Sequence, residues 1–311
     1  MRKRQKTVAW RALQVFISSF VTVAIIGIFV FVTQGRDIPV LNPSGTIADQ
    51  QLVLLLITTA LGVLVIVPVF ILLFVIAWRY RAGNKKAKYE PEMKDNVVLE
   101  VIWWGIPVLI IIALSIITHI STHALDPYKP LESNVKPVKV QVISLNWRWL
   151  FIYPDYGVAT MSHMPIPKDT PINLSISADS PMNSFWVPAL AGQIYAMNGM
   201  TTKLHMMADS VGTYNGFTTN ISGEGYAHMR FKVYAQEEAD FEAWAKQALQ
   251  SKNVLSSETY KEISKDSKDT SEKTYLLQTP ELFDQVIMKY MEPAKTTGSN
   301  THGVVTMGAG A

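Results

Sequence analysis

Six histidines, thirteen methionines and no cysteine define the chemistry open to this chain. Without a thiol there is no disulfide, thiolate nucleophile, zinc ribbon, c-type haem attachment, thiolate-held copper or lipidated cysteine. The pairings nearest to a soft-metal site are His205 with Met206 and Met207, and His228 with Met229. Lone strand or loop histidines ordinarily serve surface hydrogen bonding, and the methionines are dispersed, so no metal is expected. His119 and His123 lie one helical turn apart and suit hydrogen bonding at a membrane interface. Among the acids, Glu100 stands out because Val101-Ile102-Trp103-Trp104 follows it and opens an apolar run. By residue chemistry alone, a carboxylate at that boundary is simply solvated. Trp147 and Trp149 alternate, which predicts that both sit on one face of a strand.

The elements that must carry these residues begin in a bilayer. The 311 residues are 49% hydrophobic and only 17% charged, against about 25% charged in an ordinary soluble domain. Leu13–Val32, Leu52–Trp78 and Val101–Thr118 are uncharged. The second of these, at about 1.5 Å per residue, reaches roughly 40 Å and exceeds the hydrocarbon thickness of about 30 Å. Arg79, Arg81, Lys85, Lys86 and Lys88 follow it, which puts that loop in the cytoplasm and makes the second and third runs a hairpin with outward-facing outer ends. The basic cluster Arg2, Lys3, Arg4, Lys6 and Arg11 precedes the first run, which reads as an uncleaved signal anchor. Everything after Ser121 is then expected outside. A formal charge of +3, with basic residues beside apolar runs, gives no nucleic-acid footprint.

From Val138 the pattern changes to short strands. Val138, Val140 and Val142 alternate with other residues, as do Ile172, Leu174 and Ile176; Trp147–Tyr153 is densely aromatic, and Lys203–Met207 and His228–Val233 follow. Strands at this spacing predict a β-sandwich or barrel. Glu237–Leu249 reads as an amphipathic helix with an acidic start, and Pro280–Tyr290 as a second. Residues 251–275 hold five lysines and five acids and read as a solvated charged linker, with a disordered tail from Lys295. The expected division is 1–50 anchor and external linker, 51–125 transmembrane hairpin, 126–235 external β-domain, and 236–311 C-terminal helices, linker and tail.

Three ordered motifs narrow the field: Leu145-Asn146-Trp147-Arg148-Trp149, Pro181-Met182-Asn183-Ser184-Phe185-Trp186-Val187-Pro188 and Gln193-Ile194-Tyr195-Ala196-Met197-Asn198-Gly199-Met200. From about Leu41 to Tyr290 the chain resembles subunit II of haem–copper terminal oxidases, whose external domain is cupredoxin-like. In the cytochrome c oxidases of that superfamily, the domain holds a copper pair bridged by two thiolates. Here Asn183 stands for the first histidine; registering on Gly223 and Met229 puts Thr218 and Ser222 at the two cysteines, Asn220 at the glutamate and Tyr226 at the second histidine, with only Met229 retained. A hydroxyl does not replace a bridging thiolate.

This loss matches the bo-type quinol oxidases. The resemblance implies a complex that oxidises quinol, with ubiquinol favoured, reduces O₂ and pumps protons, its haems, one copper and quinol site residing in subunit I. This chain then holds no cofactor, contributes structure, and meets subunit I and further membrane subunits but not cytochrome c. The resemblance also implies a K-channel proton entrance at Glu100, and a docking or packing role against subunit I for Trp147 and Trp149. The expected location is the bacterial inner membrane, with the C-terminal domain in the periplasm. Many relatives of this type carry a lipidated cysteine before the Asn-Pro-x-Gly stretch, here Asn42-Pro43-Ser44-Gly45; Val32-Thr33-Gln34-Gly35 offers none. Cytochrome c oxidase subunit II is disfavoured by the missing thiolates. A free-standing cupredoxin-like scaffold or copper chaperone is disfavoured by the dispersed methionines.

Overall fold

A computed structural model describes residues 27, 38–85, 87 and 96–291. The chain divides into two units, Met1–Asn42 and Pro43–Ala311. In the first, Ile38–Asn42 form a turn in which the Leu41 and Asn42 amides donate to the Ile38 carbonyl at 2.8 and 3.1 Å. Apart from Gly27, the expected anchor Leu13–Val32 lies outside the described residues, as does the tail from Lys295.

The second unit opens with a short strap. The Ser44 amide donates to the Ala189 carbonyl at 2.7 Å, and the Asp209 amide donates to the Ser44 carbonyl at 2.9 Å. At Gly45 the backbone approaches so closely that a Cβ would lie 2.5 Å from the Met207 carbonyl oxygen, closer than real Cβ atoms come. Helix α1 (Thr46–Arg79) starts at once and helix α2 (Val97–Ala124) follows the basic loop. Asn96 caps α2 by accepting from the Leu99 amide at 3.2 Å. Both helices run on through Pro68 and Pro107 and expose apolar side chains all round, as a lipid-facing or partner-facing span does. They are long and apolar enough to cross a membrane.

The external domain has twelve strands: β1 (Val138–Ser144), β2 (Trp149–Tyr153), β3 (Val158–Met161), β4 (His163–Pro167), β5 (Ile172–Ala178), β6 (Asn183–Trp186), β7 (Ile194–Ala196), β8 (Thr202–Met206), β9 (Gly212–Thr218), β10 (Arg230–Gln236), β11 (Val254–Leu255) and β12 (Lys273–Leu277). They make a seven-stranded sheet, β11-β12-β3-β2-β1-β5-β8, and a five-stranded sheet, β4-β10-β9-β6-β7. The sheets enclose a core of Val140, Val142, Trp149, Phe151, Tyr153, Phe185 and Phe231, among others. Phe185 and Phe231 stack with centroids 5.0 Å apart, and Trp149 meets both edge-on. The architecture is a membrane hairpin followed by an all-β cupredoxin-like domain and a short helical C-terminal region.

Strand β2 shows why its sequence lacks polar alternation. Trp149, Phe151 and Tyr153 enter the sandwich, while Leu150 and Ile152 point to the opposite face, where a second core forms. That face is covered by the C-terminal region: Leu255, Tyr260, Tyr275, Leu282, Phe283 and Val286 pack on Ile143, Leu150, Ile152 and Met161. Helix α3 (Glu238–Ala248) seats Phe241 and Trp244 against Tyr153, and helices α4 (Ser257–Ile263) and α5 (Leu282–Met291) follow.

Two expectations are corrected. Residues 251–275 are not a solvated linker: they form β11, α4 and β12, because their few apolar residues are spaced to meet the outer face of the sheet while the charges turn to water. Trp147 and Trp149 do not share a strand face. Trp147 has φ 67° and precedes β2, so the backbone turns between them.

Candidate functional site

The positions aligned with copper donors lie where β6, the end of β9 and the following loop meet. Asn183 is almost wholly buried and fully engaged. Its Nδ2 donates to Ser144 Oγ at 2.8 Å, Ser180 Oγ at 3.2 Å and the Pro181 carbonyl at 3.0 Å; its Oδ1 accepts from Thr218 Oγ1 at 3.2 Å. Ser144 and Ser180 hydroxyls pair at 3.0 Å. One hydrogen-bond network therefore joins β1, the turn before β6, β6 and β9, with Asn183 and Thr218 bonded to each other. Met229 is buried in the main core, Asn220 and Tyr226 are half-buried, and Ser222 Oγ is buried without a hydrogen-bond partner. These donors do not fit a copper pair: they are neutral oxygens and amides, and the one sulfur serves the core.

Trp147 holds the loop in position. Its Nε1 donates to the Ser222 carbonyl at 3.3 Å, and its ring lies on Gly223 and Gly225. A Cβ on Gly225 would sit 2.4 Å from that ring, so only glycine permits the contact. The neighbouring residues of the motif face the other way. Arg148 Nη2 donates to the Ile263 carbonyl at 2.5 Å, and Asn146 Nδ2 donates to Asp266 Oδ1 at 2.6 Å. Lys268 Nζ completes the clamp by pairing with Glu224. Trp149 is fully buried in the sandwich, so its role is packing within the chain, not docking.

Beside this network sits a charged knot that the sequence did not suggest. The Asp179 side chain is 2% exposed. Tyr260 OH donates to its Oδ2 at 2.8 Å; Lys289 Nζ and Tyr290 OH donate to its Oδ1, each at 2.6 Å. Burial by itself would push the Asp179 pKa up, but the hydrogen bonds from Lys289, Tyr290 and Tyr260 outweigh it and hold the carboxyl below its ordinary value. Lys289 is raised despite burial, through Asp179, and burial followed by Asp179 raises Tyr260. The Asp179 amide donates to the Ser144 carbonyl at 2.8 Å, which couples the knot to the Asn183 network. The one hint in the sequence is Asp179-Ser180-Pro181, a turn signal; nothing in it pairs Asp179 with residues more than 80 positions later.

Glu100 is in the first turn of α2, four residues after its cap, where an acid also complements the helix dipole. It lies at the opposite, loop-side end of the hairpin from the external domain. Among the histidines, His163 and His205 are buried rather than on the surface, and His228 is in a 3₁₀ turn (Tyr226–His228) rather than a strand. His123 Nδ1 is 2.8 Å from the His119 carbonyl oxygen.

Comparison with known proteins agrees with this geometry. Residues 158–236 match the family described as cytochrome c oxidase subunit II, periplasmic domain, and residues 250–294 match the COX aromatic rich motif. Cytochrome bo(3) ubiquinol oxidase subunit 2 of Pseudomonas putida is 44% identical over 256 residues, 82% of this chain and 82% of that protein. The Pseudomonas aeruginosa protein of the same name is 41% identical, over 86% of this chain and 81% of its own length. Quinol oxidase subunit 2 of Bacillus cereus (strain ATCC 10987 / NRS 248) is 41% identical over 74% of this chain and 79% of that protein. With 41–44% identity to these relatives over 74–86% of its length, the chain belongs to the quinol oxidase subunit 2 family, a component of an oxidoreductase complex.

Proposed function

We propose that this chain is the subunit without a redox centre in a proton-pumping ubiquinol oxidase of the bacterial cytoplasmic membrane, with its β-domain in the periplasm. The observation that carries this reading is the Asn183–Thr218 hydrogen bond, inside a network that uses the donor positions for structure, in a chain without cysteine. An electron relay from an external carrier has no seat here. Electrons taken from a membrane-dissolved quinol need none, and the quinol oxidase names of the relatives support that source. The haems, copper and quinol site then belong to subunit I, which the exposed apolar faces of α1 and α2 suit as a packing partner.

On this reading Glu100 collects protons at the cytoplasmic mouth of the hairpin and passes them into subunit I. Its carboxylate at the bilayer edge, ahead of Trp103 and Trp104, is the feature that supports the role. Purification through a tag on this chain, with redox difference spectra and quinol-driven O₂ uptake, tests the complex. Co-purifying haem with quinol oxidation is expected; a haem-free folded chain would overturn it. In that complex, Glu100→Gln is expected to slow proton uptake and the reduction of the haem–copper site about a hundredfold, the low end of a general acid–base contribution, with Glu100→Asp retaining most activity. Unchanged reduction kinetics in Glu100→Gln would remove the residue from the proton path.

A further inference from the structure

We propose that Asn198 is a site of spontaneous deamidation, in which the Gly199 amide closes on the Asn198 side chain, and that the acid left behind loosens helix α5 from the β-domain. The inference goes beyond the oxidase role and rests on no part of it.

Asn-Gly is the pair in which a main-chain amide most readily attacks the preceding side chain, because glycine puts no side chain in the way. The sequence has it twice, at Asn198-Gly199 and Asn215-Gly216. The structure separates them. Asn215 is the more exposed, yet it lies inside β9. The Thr218 amide donates to the Met229 carbonyl at 3.3 Å, so the alternation of an antiparallel ladder makes Gly216 and Phe231 the next bonded pair. The Phe231 ring also lies on Gly216, where a Cβ would be 2.1 Å from it. The Gly216 nitrogen is thus committed to the ladder and its main chain is pinned. Asn198 and Gly199 instead form the turn between β7 and β8, both half-buried. Gly199 has φ 68°, which suits glycine, and its amide has no hydrogen-bond partner among the described residues.

The reaction needs only water. The Gly199 amide gives up its proton, its nitrogen bonds to Asn198 Cγ, and the Cγ–Nδ2 bond breaks as ammonia leaves with a proton in exchange. Water then opens the cyclic imide at either carbonyl, to aspartate or to isoaspartate. Either product strains the Asp179 knot. Burial, then the hydrogen bond to Asp179, raises the Tyr290 pKa; the Asn198 side chain acts the other way, as a donor beside the phenolic oxygen does. Tyr290 OH meanwhile donates to Asp179 Oδ1 at 2.6 Å. A carboxylate at position 198 has no N–H to give, and the single Tyr290 proton does not serve two carboxylates. Isoaspartate also adds a methylene to the main chain at a turn that is already close-packed, where a Cβ on Gly199 would lie 3.2 Å from Tyr290 Cβ.

The test uses the chain purified with the subunits it carries, held at mildly alkaline pH and mapped by peptide mass spectrometry against the same chain unfolded in denaturant. Acid is expected to build up at position 198 of the folded protein while Asn215 stays an amide, and both are expected to convert in the unfolded chain. A folded protein that keeps the Asn198 amide for as long as the unfolded chain takes to convert, or that converts Asn215 at the same rate, would overturn the proposal. The effect of the product is tested apart from its formation. In Asn198→Asp, hydrogen exchange of the α5 amides is expected to be about tenfold faster, the factor for one hydrogen bond at the upper end of its net worth. Asn198→Ala, which loses the donor without adding a charge, should exchange less fast. Equal protection in Asn198→Asp and the parent, or equal exchange in the two variants, would overturn the loosening of α5. Neither readout involves haem, so both are separable from the oxidase reading.

Discussion

At the scale of residues, Asp179 concentrates more interaction than any group the sequence singled out. Its folded-state pKa is depressed, so its stabilising contribution is complete above the unfolded value of about 3.9 and is lost as pH falls through the folded value. Asp179→Asn keeps the shape but removes the charge that Lys289, Tyr260 and Tyr290 converge on, at a cost of about 1.5–3 kcal/mol, the range for hydrogen bonds to charged groups. Hydrogen exchange of the α5 amides should accelerate at neutral pH, while the loss of protection below about pH 4 should become shallower than in the parent. Equal acid dependence in the two proteins would show that the knot does not titrate as described. None of this was legible beforehand, because an acid and its partners separated by 81 to 111 positions leave no periodicity to read. The Asn183 position, by contrast, was legible through the motif around it, and what the structure adds is that Asn183, Thr218, Ser144 and Ser180 satisfy one another.

Among the elements, the helices and the alternating strands were readable and the C-terminal region was not. Strands β1 and β5 alternate because one side is more exposed over their first half; β2 does not alternate, because both its sides are covered. That missing alternation was the one sign that something must lie on the outer face. The covering segment itself looked like solvated charge, since Leu255, Tyr260 and Tyr275 are too sparse to register as an element without knowing the surface they meet. Phe283 in α5 tests the consequence. It is buried on Ile143 and Leu150's side of the sheet, and Phe283→Ala is expected to destabilise the C-terminal region by about 3–5 kcal/mol. Limited proteolysis of the purified protein should then cut between Ile263 and Lys273 well before the sandwich is attacked. Simultaneous loss of both would mean the region and the sandwich unfold as one unit.

For the whole molecule, the positive-inside pattern, with the strap at Ser44–Gly45 tying the start of α1 to the β-domain, predicts that the domain lies on the side of the bilayer opposite the basic loop. The absence of native cysteine makes this directly measurable. Thr270→Cys, exposed on the β-domain, should react with a membrane-impermeant maleimide in intact spheroplasts, and Lys85→Cys, exposed in the loop after α1, only after permeabilisation. Labelling of both in intact spheroplasts would refute the topology.

The cover on the outer face of the large sheet also has a consequence in time. Leu150 and Ile152 emerge during synthesis long before Leu282, Phe283 and Val286 exist to meet them. At about 5–20 residues per second, the intervening stretch of about 130 residues takes on the order of 10 s. Over that interval the outer face of the sheet is covered at most in part, by Leu255, Tyr260 and Tyr275 as they arrive. Helix α5 is therefore a late-arriving seal: until it docks and Lys289 finds Asp179, the outer face of the large sheet lacks Leu282, Phe283 and Val286 and stays open to any apolar surface it meets.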